Sequence, residues 1–121
     1  MIGSSRKVRV HAHRGPVDMR KSFDTLAGLV RTQMGADVLD GDLFLFVGRD
    51  RRRAKVLFFD GTGLCLYAKR LGKGRFAAPW ERAGTMTSSE LALFLEGGEL
   101  LARRVEPLSR EDLFLSPDAF S

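Results

Sequence analysis

Nine basic side chains lie within one stretch of the sequence, residues 49–75, alongside only two acidic ones. This stretch carries a net charge of +7 in a chain whose total is +5, so the rest of the chain is slightly acidic, at −2. Guanidinium and ammonium groups at this density suit phosphate oxygens, such as those of a nucleic acid backbone. The nine cations, which we call the basic rim, are Arg49, Arg51, Arg52, Arg53, Lys55, Lys69, Arg70, Lys73 and Arg75.

The elements that carry the basic rim are predicted to bring its two halves together. The tetrapeptide DGTG at residues 60–63 is typical of a turn, and it separates the mostly apolar runs 54–59 and 64–68, which predicts a β-hairpin. A hairpin places the start of its first strand beside the end of its second. The run Leu43–Val47 predicts a third strand, joined to the hairpin at that same end by residues 48–53. We therefore expect both groups of cations at one end of a sheet.

Two histidines raise the question of a metal site. His11 and His13 alternate with apolar residues in the run 8–13, a pattern typical of a short edge strand, so both imidazoles would project from one face. A zinc site needs a third and a fourth ligand, and no other His or Cys is close in the sequence. We interpret both as solvated side chains beside the basic rim and predict no metal.

Carboxylates are the other residues that could do chemistry. Asp37, Asp40 and Asp42 stand close together without the spacing of a calcium-binding loop, and we interpret them as a loop and a strand entry. A two-metal nuclease would need carboxylates such as Asp18, Asp42 and Asp60 to converge. Each of these has a simpler explanation, as a helix cap, a strand entry or a turn residue. We therefore predict that the protein is not an enzyme and that it has no catalytic residues and no cofactor.

The first helix is predicted from Met19 to Met34, with Asp18 as its N-cap and Gly35 as its end. Its apolar residues recur at helical spacing: Met19, Phe23, Leu26, Ala27, Val30 and Met34. Arg20 and Lys21 then fall in the first turn, where the helix dipole disfavours cations. We count both as candidate phosphate contacts at a helix N-terminus, with pairing to Asp18 or Asp24 as the alternative.

The remaining segments add aromatic residues and a second helix. Residues 69–80 are basic and glycine-interrupted, and Phe76 and Trp80 would either stack on bases or pack in the core. The sequence TSSE at residues 87–90 is a capping box, which predicts a short helix that ends at Gly97 or Gly98. We predict one domain over residues 1–98 and a tail over 99–121, in which residues 110–115 would add a turn of helix.

Length and composition limit the class of protein. The chain has 121 residues, 44% of them hydrophobic, with a single cysteine, Cys65, in a predicted strand. It contains no apolar run of the ~20 residues that cross a bilayer and no secretory signal, so we expect a cytoplasmic protein without a membrane partner. The predicted fold is α+β: a small antiparallel sheet of about four strands, one long helix on a face and a short second helix.

Two sequence blocks resemble those of a known family. They are GPVDMRKSF at residues 15–23 and FFDGTGLCLYAKRLGKGRF at residues 58–76. In this order and at this separation they resemble the accessory proteins encoded by the second reading frame of insertion sequence 66 transposons, also called TnpB and distinct from the RNA-guided nucleases of that name. The resemblance covers residues 8–96. It implies a bacterial mobile-element protein that acts with a separate transposase and a second small accessory protein.

Two functions outside catalysis are consistent with these features. In the first, the protein is a non-catalytic accessory factor of DNA transposition, and the basic rim together with Arg20 and Lys21 binds the phosphates of DNA, such as transposon ends. In the second, it is a protein–protein adaptor in a transposase complex that does not bind DNA itself.

Overall fold

A computed structural model of the protein describes residues 7–82 and 84–97. Among these residues, four strands form one sheet in the order β1-β2-β3-β4. The strands are β1 (Val10–Ala12), β2 (Leu43–Val47), β3 (Arg53–Phe59) and β4 (Leu64–Arg70), and the helices are α1 (Phe23–Gln33) and α2 (Ser88–Leu95). Short 3-10 turns occur at Val38–Asp40 and Pro79–Glu81. The α+β class is therefore confirmed.

The sheet is mixed, so the prediction of an antiparallel sheet is wrong for one of its three pairings. β2 pairs antiparallel with β3, and β3 pairs antiparallel with β4. However, β1 runs parallel to β2, with Val10 opposite Leu43 and Ala12 opposite Leu45. The reason lies in the connection: α1 carries the chain from the end of β1 back to the level at which β1 began, and a crossover of this kind joins parallel strands.

The β3–β4 hairpin and its turn are confirmed. The carboxylate of Asp60 accepts hydrogen bonds from the backbone N–H groups of Thr62 and Gly63, at 2.9 and 3.0 Å, and from the Thr62 hydroxyl. These bonds lower the pKa of Asp60 to about 2, with the Thr62 N–H as the largest cause. Gly61 adopts φ 104°, which favours glycine. The folded turn thus favours an ionised carboxylate at position 60.

Helix α1 is shorter than predicted, because it begins at Phe23 and not at Met19. Ser22 is its N-cap, and the backbone N–H of Ser22 donates to the hydroxyl of Thr25 at 3.1 Å. Asp18 is not the cap; its carboxylate accepts from the backbone N–H of Arg20 and binds the Arg20 guanidinium. Arg20 and Lys21 therefore lie before the helix, which removes the predicted conflict with its dipole. At the other end Gly35 has φ 62° and ends the helix as predicted.

The two helices cover opposite faces of the sheet. On the face we call the α1 face, Leu26 and Val30 are fully buried with Phe44, Phe46 and Leu57, whereas Phe23 is 42% exposed and not in the core as its spacing predicted. On the other, the α2 face, the buried residues are Val10, Leu45, Val47, Ala54, Val56, Leu71, Phe76, Met86, Leu91 and Phe94. Each face thus has its own apolar core.

Helix α2 begins as the sequence predicted. The Thr87 hydroxyl accepts from the backbone N–H of Glu90 at 3.1 Å, and the Glu90 carboxylate accepts from the N–H of Thr87 at 2.9 Å. The helix ends before Gly97, whose φ is 108°. No helix within residues 7–82 and 84–97 is long and apolar enough to span a bilayer. The predicted tail, residues 99–121, and the helical turn predicted at 110–115 lie outside the described residues.

Candidate nucleic-acid interface

The loop between β2 and β3 holds the first half of the basic rim in a tight turn. The N–H of Gly48 donates to the carbonyl of Arg53 and the N–H of Arg51 donates to the carbonyl of Gly48, both at 3.0 Å. Asp50 accepts from the N–H of Arg52 at 3.0 Å. Arg51 has φ 57°, a conformation that non-glycine residues seldom adopt. The loop is therefore ordered by its own backbone and by one carboxylate.

The second half of the basic rim lies directly beside the first. Arg53 is the register partner of Arg70 across the hairpin. Beyond the strands, the N–H of Leu71 donates to the carbonyl of Arg52 at 2.8 Å, and the N–H of Phe76 donates to the carbonyl of Arg51 at 2.6 Å. The segment that carries Lys73 and Arg75 is thus held against the β2–β3 loop. The two groups of cations meet at one end of the sheet.

Most of these cations are not neutralised from within the protein. Arg49, Arg53, Lys73 and Arg75 are exposed, and Lys69 is half-buried. Across the part of the chain that the structure describes, no carboxylate lies within salt-bridge distance of these five side chains. Like charges held close together repel one another, so this end of the sheet favours an anion.

Arg52 differs from its neighbours because it is half-buried against the second segment. One of its terminal amino groups lies 3.5 Å from the carbonyl of Gly72, and its Nε is buried without a hydrogen-bond partner. Arg52 thus spans the two halves of the basic rim.

Lys55 is half-buried and makes a hydrogen bond within the fold. It points from the α1 face, and its Nζ donates to the carbonyl of Lys21 at 2.7 Å. Burial lowers the pKa of Lys55, and the nearby Arg53 lowers it further. This bond brings Lys21 close to the basic rim. Arg20 is paired with Asp18 at 2.8 Å, the alternative that the sequence left open, and this pairing lowers the pKa of Asp18.

Of the two roles that the sequence left open for Phe76, stacking on bases or packing in the core, the structure shows packing in the core. Its side chain is fully buried and stacks on Phe94, with 5.4 Å between ring centroids. Trp80 is partly buried against the same core. Both residues hold the segment after β4 on the α2 face, so they fix the backbone that carries Lys73 and Arg75.

The two histidines are packed, not solvated as predicted. The imidazole of His11 stacks on Phe44 and its Nε2 donates to the carboxylate of Asp42 at 2.8 Å, while His13 binds Gln33 and the carbonyl of Gly15. Asp42 is only 4% exposed and also accepts from the N–H of Arg9. Sequence reasoning missed this pair, for which the only signal was a carboxylate at the entry to an apolar strand.

The carboxylates considered for a nuclease do not come together. Asp18 follows Val17, which bonds to the end of β2, whereas Asp42 precedes β2 and Asp60 is in the hairpin turn, both at the opposite end of the sheet from Asp18. Within the described ranges, no three His, Cys, Asp or Glu side chains are grouped as metal ligands. The thiol of Cys65 lies 3.4 Å from Asp60, and burial raises its pKa, so it is not an activated nucleophile.

Comparisons with known proteins agree with the resemblance. Two proteins of Sinorhizobium fredii, both described as uncharacterized, are similar to this chain. y4hO is 40% identical over 99 residues, covering 80% of this chain and 86% of its own length, and y4jC is 32% identical over 112 residues, covering 91% and 96%. No solved structure matches the chain. The family described as IS66 Orf2 like protein matches residues 8–105, and the chain therefore belongs to this family of transposition-associated accessory proteins.

Proposed function

We propose that this protein is a non-catalytic accessory factor that binds DNA phosphates through its basic rim during transposition. The observation that carries the proposal is the convergence of the two cationic segments, joined by the hydrogen bonds from Leu71 and Phe76 to Arg52 and Arg51. Family membership supplies the context of transposition. A dense ridge of cations, five of which have no carboxylate within salt-bridge distance in the described part of the chain, is the electrostatic footprint expected of a nucleic-acid-binding surface.

The chemistry of the basic rim suits positioning, not sequence reading. Its exposed cations stand on loops and strand ends, where flexible side chains reach phosphate oxygens but have no fixed geometry toward base edges. Binding should therefore depend strongly on salt and weakly on sequence. In a transposition complex, such a protein would hold DNA in place while a separate transposase carries out the chemistry.

The experiment is a salt titration of binding to a short labelled duplex, followed by fluorescence anisotropy. We expect the logarithm of the affinity to fall linearly with the logarithm of the salt concentration, by about 0.9 per phosphate neutralised. The variant Lys73→Gln/Arg75→Gln removes two exposed cations without touching the core. It should bind more weakly and reduce the slope by up to about 1.8.

The matched control is Arg14→Gln/Arg31→Gln, which removes the same charge from exposed positions outside the basic rim. It should leave the slope unchanged. Equal losses in both variants would mean that net charge, and not the basic rim, drives binding, and the proposal would be wrong.

The adaptor remains the second function because the structure exposes large apolar side chains away from the basic rim. Leu39 and Leu93 are 58% and 53% exposed. If the wild-type protein fails to bind duplex DNA at low salt yet co-purifies with the transposase of its element, the adaptor replaces the DNA-binding proposal.

A further inference from the structure

Strand β4 forms an open edge of the sheet. It pairs with β3 on one side, and no other described strand pairs with its second side. Along an antiparallel strand, the backbone N–H and C=O groups of successive residues point alternately toward one neighbouring strand and away from it. The N–H of Asp60 donates to the carbonyl of Gly63, and that of Leu71 donates to the carbonyl of Arg52, so the backbone groups of residues 65, 67 and 69 point to β3. Those of Leu64, Leu66 and Ala68 point outward. A seven-residue open edge is a template for another strand.

The strand has an exposed aromatic residue at its midpoint. Tyr67 is the fourth of the seven residues and is 47% exposed, on the same face as Cys65 and Lys69. If two β4 strands paired antiparallel about Tyr67, the whole strand would be matched. Leu66 of each copy would exchange hydrogen bonds with Ala68 of the other, and the two tyrosines would form the close pair between them.

Charge favours this antiparallel register. Lys69 of one copy would lie opposite Cys65 of the other, and the thiol of Cys65 contacts the ionised carboxylate of Asp60. The basic end of β4 in each copy would therefore lie beside the hairpin turn of the other copy, which carries Asp60.

We propose that the open edge of β4 binds a second copy of this chain, forming a continuous eight-stranded sheet across a two-fold axis at Tyr67. The proposal does not depend on DNA binding. The two-fold axis sets the basic rims of the two copies at opposite ends of the joined sheet, so a dimer would present two separate phosphate-binding surfaces.

The first test is the oligomeric state of the full chain, measured by sedimentation velocity over a range of concentrations. We expect a concentration-dependent dimer in the wild type. Tyr67→Lys removes the aromatic pair and opposes two like charges, so it should weaken the dimer by about tenfold or more. The control Leu93→Lys makes the same change at an equally exposed apolar residue on α2 and should dimerise as the wild type does.

Cross-linking tests the register independently of affinity. Residues opposite each other in a pair without mutual hydrogen bonds have Cα atoms about 4.5 Å apart, within the range of a disulfide. Tyr67→Cys in a Cys65→Ser background should give a covalent dimer on oxidation, and Leu93→Cys in the same background should not. A wild type that stays monomeric, a dimer unaffected by Tyr67→Lys, or equal cross-linking at both positions would overturn the proposal.

Discussion

The two ends of the sheet differ in whether their charged side chains have partners within the fold. At one end, Asp42 and Asp60 are ionisable groups that the fold uses: the first accepts from His11 and the backbone of Arg9, and the second holds the hairpin turn. At the other end, Arg53 faces Arg70 across the hairpin, and Lys73 and Arg75 stand exposed. One end satisfies its charges within the fold, and the other leaves most of them available to a partner.

This difference separates charges that stabilise the fold from charges that the proposed function assigns to a ligand. A carboxylate that accepts several N–H groups lowers the free energy of the folded state. Cations that are clustered together repel one another and do the reverse, and a fold tolerates them at a modest cost. The side of the molecule that is electrostatically worse for folding is therefore the better candidate for function.

The largest expected effect comes from removing a carboxylate at the end of the sheet whose charges have partners within the fold. Asp42→Ala leaves His11 and the N–H of Arg9 without their acceptor in a buried site and should lower the free energy of unfolding by about 2 to 3 kcal/mol. Urea denaturation measures this. The control Asp24→Ala, an exposed carboxylate in the first turn of α1, should change it by about 0.5 kcal/mol or less. Equal effects would show that Asp42 has no special role.

A smaller effect should follow from pH at the hairpin turn. Because the folded state lowers the pKa of Asp60 from 3.8 to about 2, its stabilising contribution is complete above pH 3.8 and is lost as the pH falls through about 2. The difference in Tm between the wild type and Asp60→Ala should shrink over that interval. Carboxyl titration by NMR checks the cause, and a pKa of 3.8 or more for Asp60 would contradict it.

The smallest effect, of opposite sign, is expected in the basic rim. Arg53→Thr removes a cation that faces Arg70 and introduces a residue that favours strands, so it should raise the free energy of unfolding by about 0.5 kcal/mol. Added salt should reduce the gain, since it screens the repulsion that the substitution relieves. A loss of stability would mean that Arg53 supports the fold, and the contrast between the two ends would fail.

Local patterns predicted much of this fold. The strand Leu43–Val47, the hairpin turn and the start of α2 were all readable because each depends on neighbouring residues: an apolar run, the DGTG turn and a capping box. The start of α1 was not, because a carboxylate at position 18 looks like a helix cap whether it accepts from the helix or, as here, from Arg20. Competing local bonds are decided by the tertiary position of the segment.

The candidate site divides in the same way. Its cations and the turn that folds them together were evident from the sequence, and so was the family. The contacts of particular side chains were not. The sequence left open whether Phe76 packs in the core, where it lies, and did not predict that Lys55 donates to the carbonyl of Lys21. Burial depends on which elements pack together, and periodicity does not report that.

The sequence by itself determined the composition of the basic rim, the hairpin that closes it and the apolar strands beneath it, because those features arise from residues that are close along the chain. Only the tertiary structure decided that β1 runs parallel to β2, that His11 meets Asp42 and that the segment after β4 lies against Arg51 and Arg52. These contacts join residues far apart in the chain. Their geometry is set when the two helices pack on opposite faces of the sheet.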